Sequence, residues 1–454
     1  MSNFDVAVGM TQTALDSTLA DLFKNPVAKS KLFSGEVTKS LGSLGEVKMV
    51  YEIIKAPTIV LKPPTSKQWG EAHKIKKGEK LPTGNVFQLL MSDVKGTVTY
   101  EGTDPIKAEG AIYVYGVFEV ANNRLSLTPK AVWIDESKFS AWDKVIVNGI
   151  LIPKILEIAD SLLSGIPLPA IPSYAGLTFQ DIVAEIVNDN ELVGATALKG
   201  NDAPDLSGYQ NPGQSIYVIS DFSVINKVLD KEVVGLKVKR KKKKGSDAWY
   251  TAGSITATVK SISASAKNNK ILIHIDLKKV SGYGELGGTG VGITKAVLCP
   301  IGAAADAIAN PSDWDKVISS FNITYKPDPL GVPVTFDAKT ENSGGENPEQ
   351  YLQVSVGNLS SVEVIAAPKW SGSVTGTVLA TAAAAFIDLL SVIFKGLIVN
   401  DILKKDAQNI NVYKIPAIQT SVDGVKIDLA VPDGQLATLS ATGQLVQNFT
   451  INFS

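Results

Sequence analysis

Cysteine occurs once in the 454 residues, at Cys299, and histidine twice, at His73 and His274. A single thiol excludes internal disulfides, and so few sulfur and imidazole ligands are too little for a zinc site. Neither histidine stands in a Ser/Asp or Cys/His pattern, so no acid/base or nucleophilic constellation can be assembled. The chain is expected to be non-enzymatic, with no cofactor and no metal. Charge of one sign is also lacking: 44 basic residues against 45 acidic ones leave no whole-molecule field that would favour nucleic acid. The start of the chain, Met1-Ser2-Asn3-Phe4-Asp5-Val6, has no basic n-region and no apolar h-region, so a cytoplasmic location, or export without a Sec-type signal, is expected. A clean hydrophobic run of membrane-spanning length is missing too. The best stretch, Val378 to Phe394, falls short of the roughly 20 residues a span needs. It is diluted by five alanines and carries Asp388, a residue that costs about 2.5–3.5 kcal/mol at a bilayer centre.

What the chain does have is a long apolar tract from Val374 to Leu403. Leu379, Ala382, Phe386, Leu389, Ile393 and Leu397 recur three or four residues apart, as one helical face requires. Thr381, Asp388, Ser391 and Lys395 form only a thin polar stripe, which predicts a helix covered on most sides. The same build occurs upstream at Trp142 to Leu163. There Val145, Ile146, Ile150, Ile155, Ile158 and Leu162 are apolar, and Lys144, Asn148, Lys154, Glu157 and Ser161 are polar. Each tract follows a strand-like segment holding Pro-Lys and tryptophan (Pro129 to Trp133, Pro368 to Trp370). Each leads into Pro-Ala-Ile (169–171, 416–418) and a further strand, Gly176 to Phe179 in one case and Val425 to Leu429 in the other. This order predicts an internal repeat.

In chain order, Phe4 to Phe23 reads as an amphipathic helix ending before Pro26, and Leu32 to Lys62 as strands stopped by Pro63-Pro64. Thr65 to Asn85, rich in lysine and turn residues, reads as an inserted loop, and Val86 to Ile134 as three strands with a turn at Asn122-Asn123. Lys199 to Gly213, a run of small and polar residues, reads as a linker. Ser215 to Leu229 then opens a second copy with another amphipathic helix, before Ser/Thr-rich strands such as Ser254–Val259 and Ile271–Leu277. The expected fold class is α+β, with modules at residues 1–198 and 214–454 separated by a linker at 199–213. Each module would be a long curved antiparallel sheet wrapped around an apolar helix.

That element order, with the twice-used Pro-Ala-Ile exit, resembles the TULIP superfamily of tubular lipid-binding proteins over nearly the whole chain. It is similar in particular to bacterial members encoded beside clostridial neurotoxins. The cysteine pair of the secreted animal members is missing. The resemblance implies binding of lipid or another long apolar ligand between helix and sheet. Two rivals share the fold: an accessory scaffold of a toxin or secretion cluster with its tube closed and a protein as its partner, and a pore-former inserting Ser/Thr-rich strands.

The surplus apolar surface on the two tracts makes Ile146, Ile150, Ile155, Ile158 and Leu162, with Leu379, Phe386, Leu390, Ile393 and Leu397, the candidate groove residues for a lipid or fatty-acyl ligand. Lys237, Lys239, Arg240, Lys241, Lys242, Lys243 and Lys244 place seven cations in eight residues. Such a run must be solvated. It suits either edge protection or peripheral contact with an anionic membrane, at about 1 kcal/mol per cation near the surface. Gly282-Tyr283-Gly284-Glu285-Leu286-Gly287 matches the dinucleotide fingerprint but opens no helix, so a hairpin tip or bulge is expected there instead.

Overall fold

The computed structural model describes residues 3–40, 45–100, 104–122, 124–137, 141–246, 249–287, 316–341, 349–357, 359–370, 387–405 and 408–454. It is a mixed fold dominated by curled antiparallel sheets. It divides into two compact units, one comprising Met1–Asp221, Thr340–Gln350 and Lys414–Ser454, the other Phe222–Lys339 and Tyr351–Tyr413. The division at Asp221 differs from the linker expected at 199–213. That segment is built into the first unit: Asn3 and Asp205 exchange two backbone hydrogen bonds of 2.7 Å, and Leu206 and Tyr209 are buried in the core. Polar composition concealed two apolar anchors.

The first unit opens with β1 (Val6–Thr11) and then α1 (Gln12–Lys24), where a single helix was expected from Phe4. Thr11 ends the strand and caps the helix, its side chain accepting from the Ala14 amide. Asn25 stops α1 and caps α2 (Pro26–Lys31). The strands β2 (Ser34–Ser40), β3 (Glu46–Ile53) and β4 (Thr58–Val60) follow. The supposed loop after them holds α3 (Ser66–Glu71) and β5 (His73–Lys74). Thr65 and Gln68 close a capping box there, a T-x-x-Q signal present in the sequence. Trp69 anchors the segment against Tyr115 and Ala131.

The long strands β6 (Val86–Tyr100), β7 (Ile106–Ala121) and β8 (Arg124–Ile134) form the body of a seven-stranded sheet in the order β2-β3-β6-β7-β8-β5, with β4 also on β6. The expected turn is present, with Asn122 at φ 51°. The first apolar tract is α4 (Ala141–Ile146), a π turn at Val147–Leu151, and α5 (Ile152–Gly165). The π turn shifts the helical phase, which accounts for Val145, expected on the apolar face, being 48% exposed.

The segment Gly176 to Phe179, expected as a strand, contributes only an isolated bridge between Phe179 and Leu198, and the strands lie further on at β9 (Val183–Val187) and β10 (Glu191–Thr196). Residues 215–229, expected as a helix, open instead with a strand, β11 (Ile216–Ser220), and α6 (Phe222–Val233) begins the second unit.

The second unit continues with β12 (Lys237–Ser246), β13 (Trp249–Lys267), β14 (Lys270–Gly287), β15 (Lys316–Lys326), β16 (Leu330–Glu341), β17 (Glu349–Val356) and β18 (Glu363–Trp370). The short β19 (Lys404–Lys405) and β20 (Gln408–Asn409) precede β21 (Asn411–Ile415). The main sheet runs β12-β13-β14-β16-β17-β21, with β15 pairing β14 and β18. Residues 282–287, the fingerprint match, are the extended end of β14, paired to β13 and β15, so they offer no phosphate loop. Of the second apolar tract, Leu379 and Phe386 lie outside the described residues. Residues 387–396 are helical and run into a π turn at Leu397–Ile402. A Cβ on Gly253 would stand 3.1 Å from Ile393 and 3.3 Å from Leu389, so this strand glycine lets helix and sheet approach closely.

The chain ends in the first unit with β22 (Ile418–Val422), β23 (Val425–Ala430), β24 (Thr438–Leu439), β25 (Leu445–Asn448) and β26 (Thr450–Phe453). A six-stranded sheet runs β24-β25-β11-β1-β10-β9, with β1 and β11 as its central pair. Val8 faces Val218 at the centre of that antiparallel pair.

Candidate functional site

The eight candidate groove residues within the described structure are core. Ile146, Ile150, Ile155, Ile158 and Leu162, and likewise Leu390, Ile393 and Leu397, are no more than 3% exposed. An empty groove would leave its lining accessible, so these side chains are covered by protein. Among the described residues of the second tract, Ile387, Asp388, Val392 and Asn400 are exposed.

Open apolar space lies instead beside the π turn of the first unit. A cleft of about 390 Å³ is lined by Val94 and Gly96 of β6, Gly110–Tyr113 of β7, Trp133 and Ile134 of β8, and Leu151 of the π turn, with Glu109 and Asp135 at its polar margin. One extra residue of β6 between Met91 and Val94 breaks the register with β7 and bends the strand there. A Cβ on Gly96 or Gly110 would meet nothing within 4 Å, so both glycines leave space. The pairing of Tyr113 with Trp133, rings 5.5 Å apart and edge to face, forms an aromatic wall. These residues were missed because each reads as ordinary strand. The usable signal was glycine twice within long strands, which marks bulges and close approach of ligands.

The cationic run is the edge strand β12. Arg240 leaves the predicted surface set: its guanidinium donates to both Asp401 oxygens at 3.1 and 3.2 Å and packs over Gly396. Lys237, Lys239 and Lys241–Lys244 are exposed, and Lys243 sits 4.1 Å from the Tyr250 ring centroid. A depression of about 700 Å³ is lined by Lys239, Lys241, Lys242 and Lys243 with residues of β13 and β14. The two histidines lie in different units, His73 bonded to Glu136 at 2.8 Å and His274 to Ser265 at 3.1 Å. Among the described residues no cluster of three potential metal ligands occurs, and no helix is long and apolar enough to cross a membrane.

One buried polar chain was not foreseen. Tyr217 lies over Gly9 and donates to Glu191, Tyr209 bonds to Tyr217, and Asn211 donates to Glu191 at 2.5 Å. Burial raises the Glu191 pKa, and the bonds from Tyr217 and Asn211 only partly oppose it. A raised folded-state pKa gives stability that is complete below the unfolded value, about 4.3, and is lost as pH rises through the folded value. Glu191→Gln is therefore expected to flatten the fall in urea midpoint between about pH 4 and 8 relative to the parent protein. Parallel pH curves for the two proteins would contradict this.

No protein-family model and no curated protein matches the chain. Among solved structures it is similar to the crystal structure of P47 of Clostridium botulinum E1, with a TM-score of 0.36 and 10% identity over 99% of this chain and 100% of that one.

Proposed function

We propose that the protein is a non-enzymatic binder of a long apolar ligand, such as a lipid acyl chain, built as two modules of tubular lipid-binding type. The observation that carries this reading is the cleft between Leu151 and the β6–β8 sheet, with its volume of about 390 Å³. Ligand sites of roughly 300–1,000 Å³ with mainly apolar and aromatic walls suit such a molecule. The two-sided strand order of the six-stranded sheet supports the repeated module. Burial of a few hundred Å² of acyl surface at about 25 cal/mol per Å² supplies several kcal/mol without any specific polar contact.

Gly110→Leu is the decisive variant, because its side chain grows into open space in an extended strand. Lipid extraction and native mass spectrometry of the purified protein are expected to show bound lipid in the parent and at least about tenfold less in the variant, with the thermal transition unchanged. Equal lipid in both would overturn the site. A second reading, an accessory scaffold with a closed tube, is favoured by the full burial of Ile155, Ile158, Leu162, Leu390 and Leu397. A parent protein free of lipid would support it.

A further inference from the structure

The outer face of the second unit's sheet carries three lysines in a row. Lys239, Lys241 and Lys243 alternate along β12 and stand opposite Thr256, Ser254 and Ala252 of β13. Those residues in turn face Ser281, Tyr283 and Glu285 of β14. The other face of the same strands meets the helix, through Gly253 against Leu389 and Ile393 and Arg240 against Asp401. The odd-numbered lysines are thereby committed to the solvent side. Residues two apart on a strand project about 6.7 Å apart, so like charges are held at a separation where they repel. Lys239, Lys241 and Lys242 have no carboxylate partner among the described residues. Glu285, the one acid among the described residues lining the depression, is engaged by the hydroxyls of Tyr250 and Tyr283.

We propose that this depression of about 700 Å³ is a binding site for a polyanion bearing two or more phosphate groups. The lysine row supplies positive charge along one side of the depression. The hydroxyls of Ser254, Thr256 and Ser281 supply neutral donors across the floor, Thr256 and Ser281 already joined at 2.7 Å. A row of lysines that served only to protect the edge would need no hydroxyl-lined depression beside it. This site lies in a different unit from the apolar cleft and stands independently of the acyl-chain reading.

The test is isothermal titration of the full chain with inorganic tripolyphosphate, in low and in moderate salt. Saturable binding is expected, weakening as salt rises. Lys239→Gln with Lys241→Gln should weaken it by at least about tenfold, because charge-assisted bonds are lost. Lys237→Gln with Lys244→Gln removes the same charge outside the depression and should change affinity less than about twofold. Equal losses in the two double variants, or no saturation in the parent protein, would overturn the proposal. A second arm uses vesicles of phosphatidylcholine with phosphatidic acid. Cosedimentation that depends on Lys239 and Lys241 and is competed by tripolyphosphate identifies a lipid headgroup as the source of the phosphates, and tripolyphosphate binding without cosedimentation identifies a soluble one.

Discussion

Gly9→Ala is expected to lower the unfolding free energy by about 3 kcal/mol or more, a large loss for a substitution of one methyl group. The new Cβ would stand 2.1 Å from the Tyr217 hydroxyl and 2.3 Å from the adjoining ring carbon. Tyr217 cannot yield freely: it is wholly buried in the core of the six-stranded sheet and bonded to both Glu191 and Tyr209. Either the ring leaves, stranding Glu191 without a donor, or β1 separates from β11. Urea denaturation measures the loss, and a double-mutant cycle assigns it. In a Tyr217→Ala background the Gly9→Ala increment should fall below about 1 kcal/mol, since the obstructing ring is gone. An alanine variant within about 0.5 kcal/mol of the parent would show that the close approach is not a constraint.

Phe394→Ala is expected to cost about 3–5 kcal/mol, the range for emptying an aromatic site in a packed core. Phe394 is fully buried, with its ring 5.4 Å from that of Tyr325, whose hydroxyl accepts the Leu277 amide at 2.9 Å. The control is Val392→Ala, two positions away and 49% exposed, which should stay within about 0.5 kcal/mol. The pair also decides whether this helix lines an open groove. A groove residue would tolerate truncation and a packed one would not, so a small effect at Phe394 would restore the second apolar tract as a ligand site.

Period and capping are local, so the helical stretch from Ala141 to Gly165, the three long strands from Val86 and the turn at Asn122 were visible in the order of residues. Thr65 to Asn85 was misread because its lysines outweighed a capping box and one buried tryptophan. Both opening helices begin later than expected because Val6–Thr11 and Ile216–Ser220 are mostly apolar, and a short buried strand has the same composition as a helix face.

The sequence by itself determined the α+β class, the helical character of residues 141–165 and the exposure of the lysine run, because each rests on neighbours a few residues apart. Tertiary structure alone decided that β1 and β11 meet at the centre of one sheet, that Asp401 takes Arg240 out of the cationic row, and that space opens beside Leu151 rather than along Ile155 or Ile393. Period-two alternation states which face of a strand is buried but is silent on its partner. Pairing, register and the bulge that bends β6 join residues far apart in the chain, and the cleft and the lysine face exist only through those pairings.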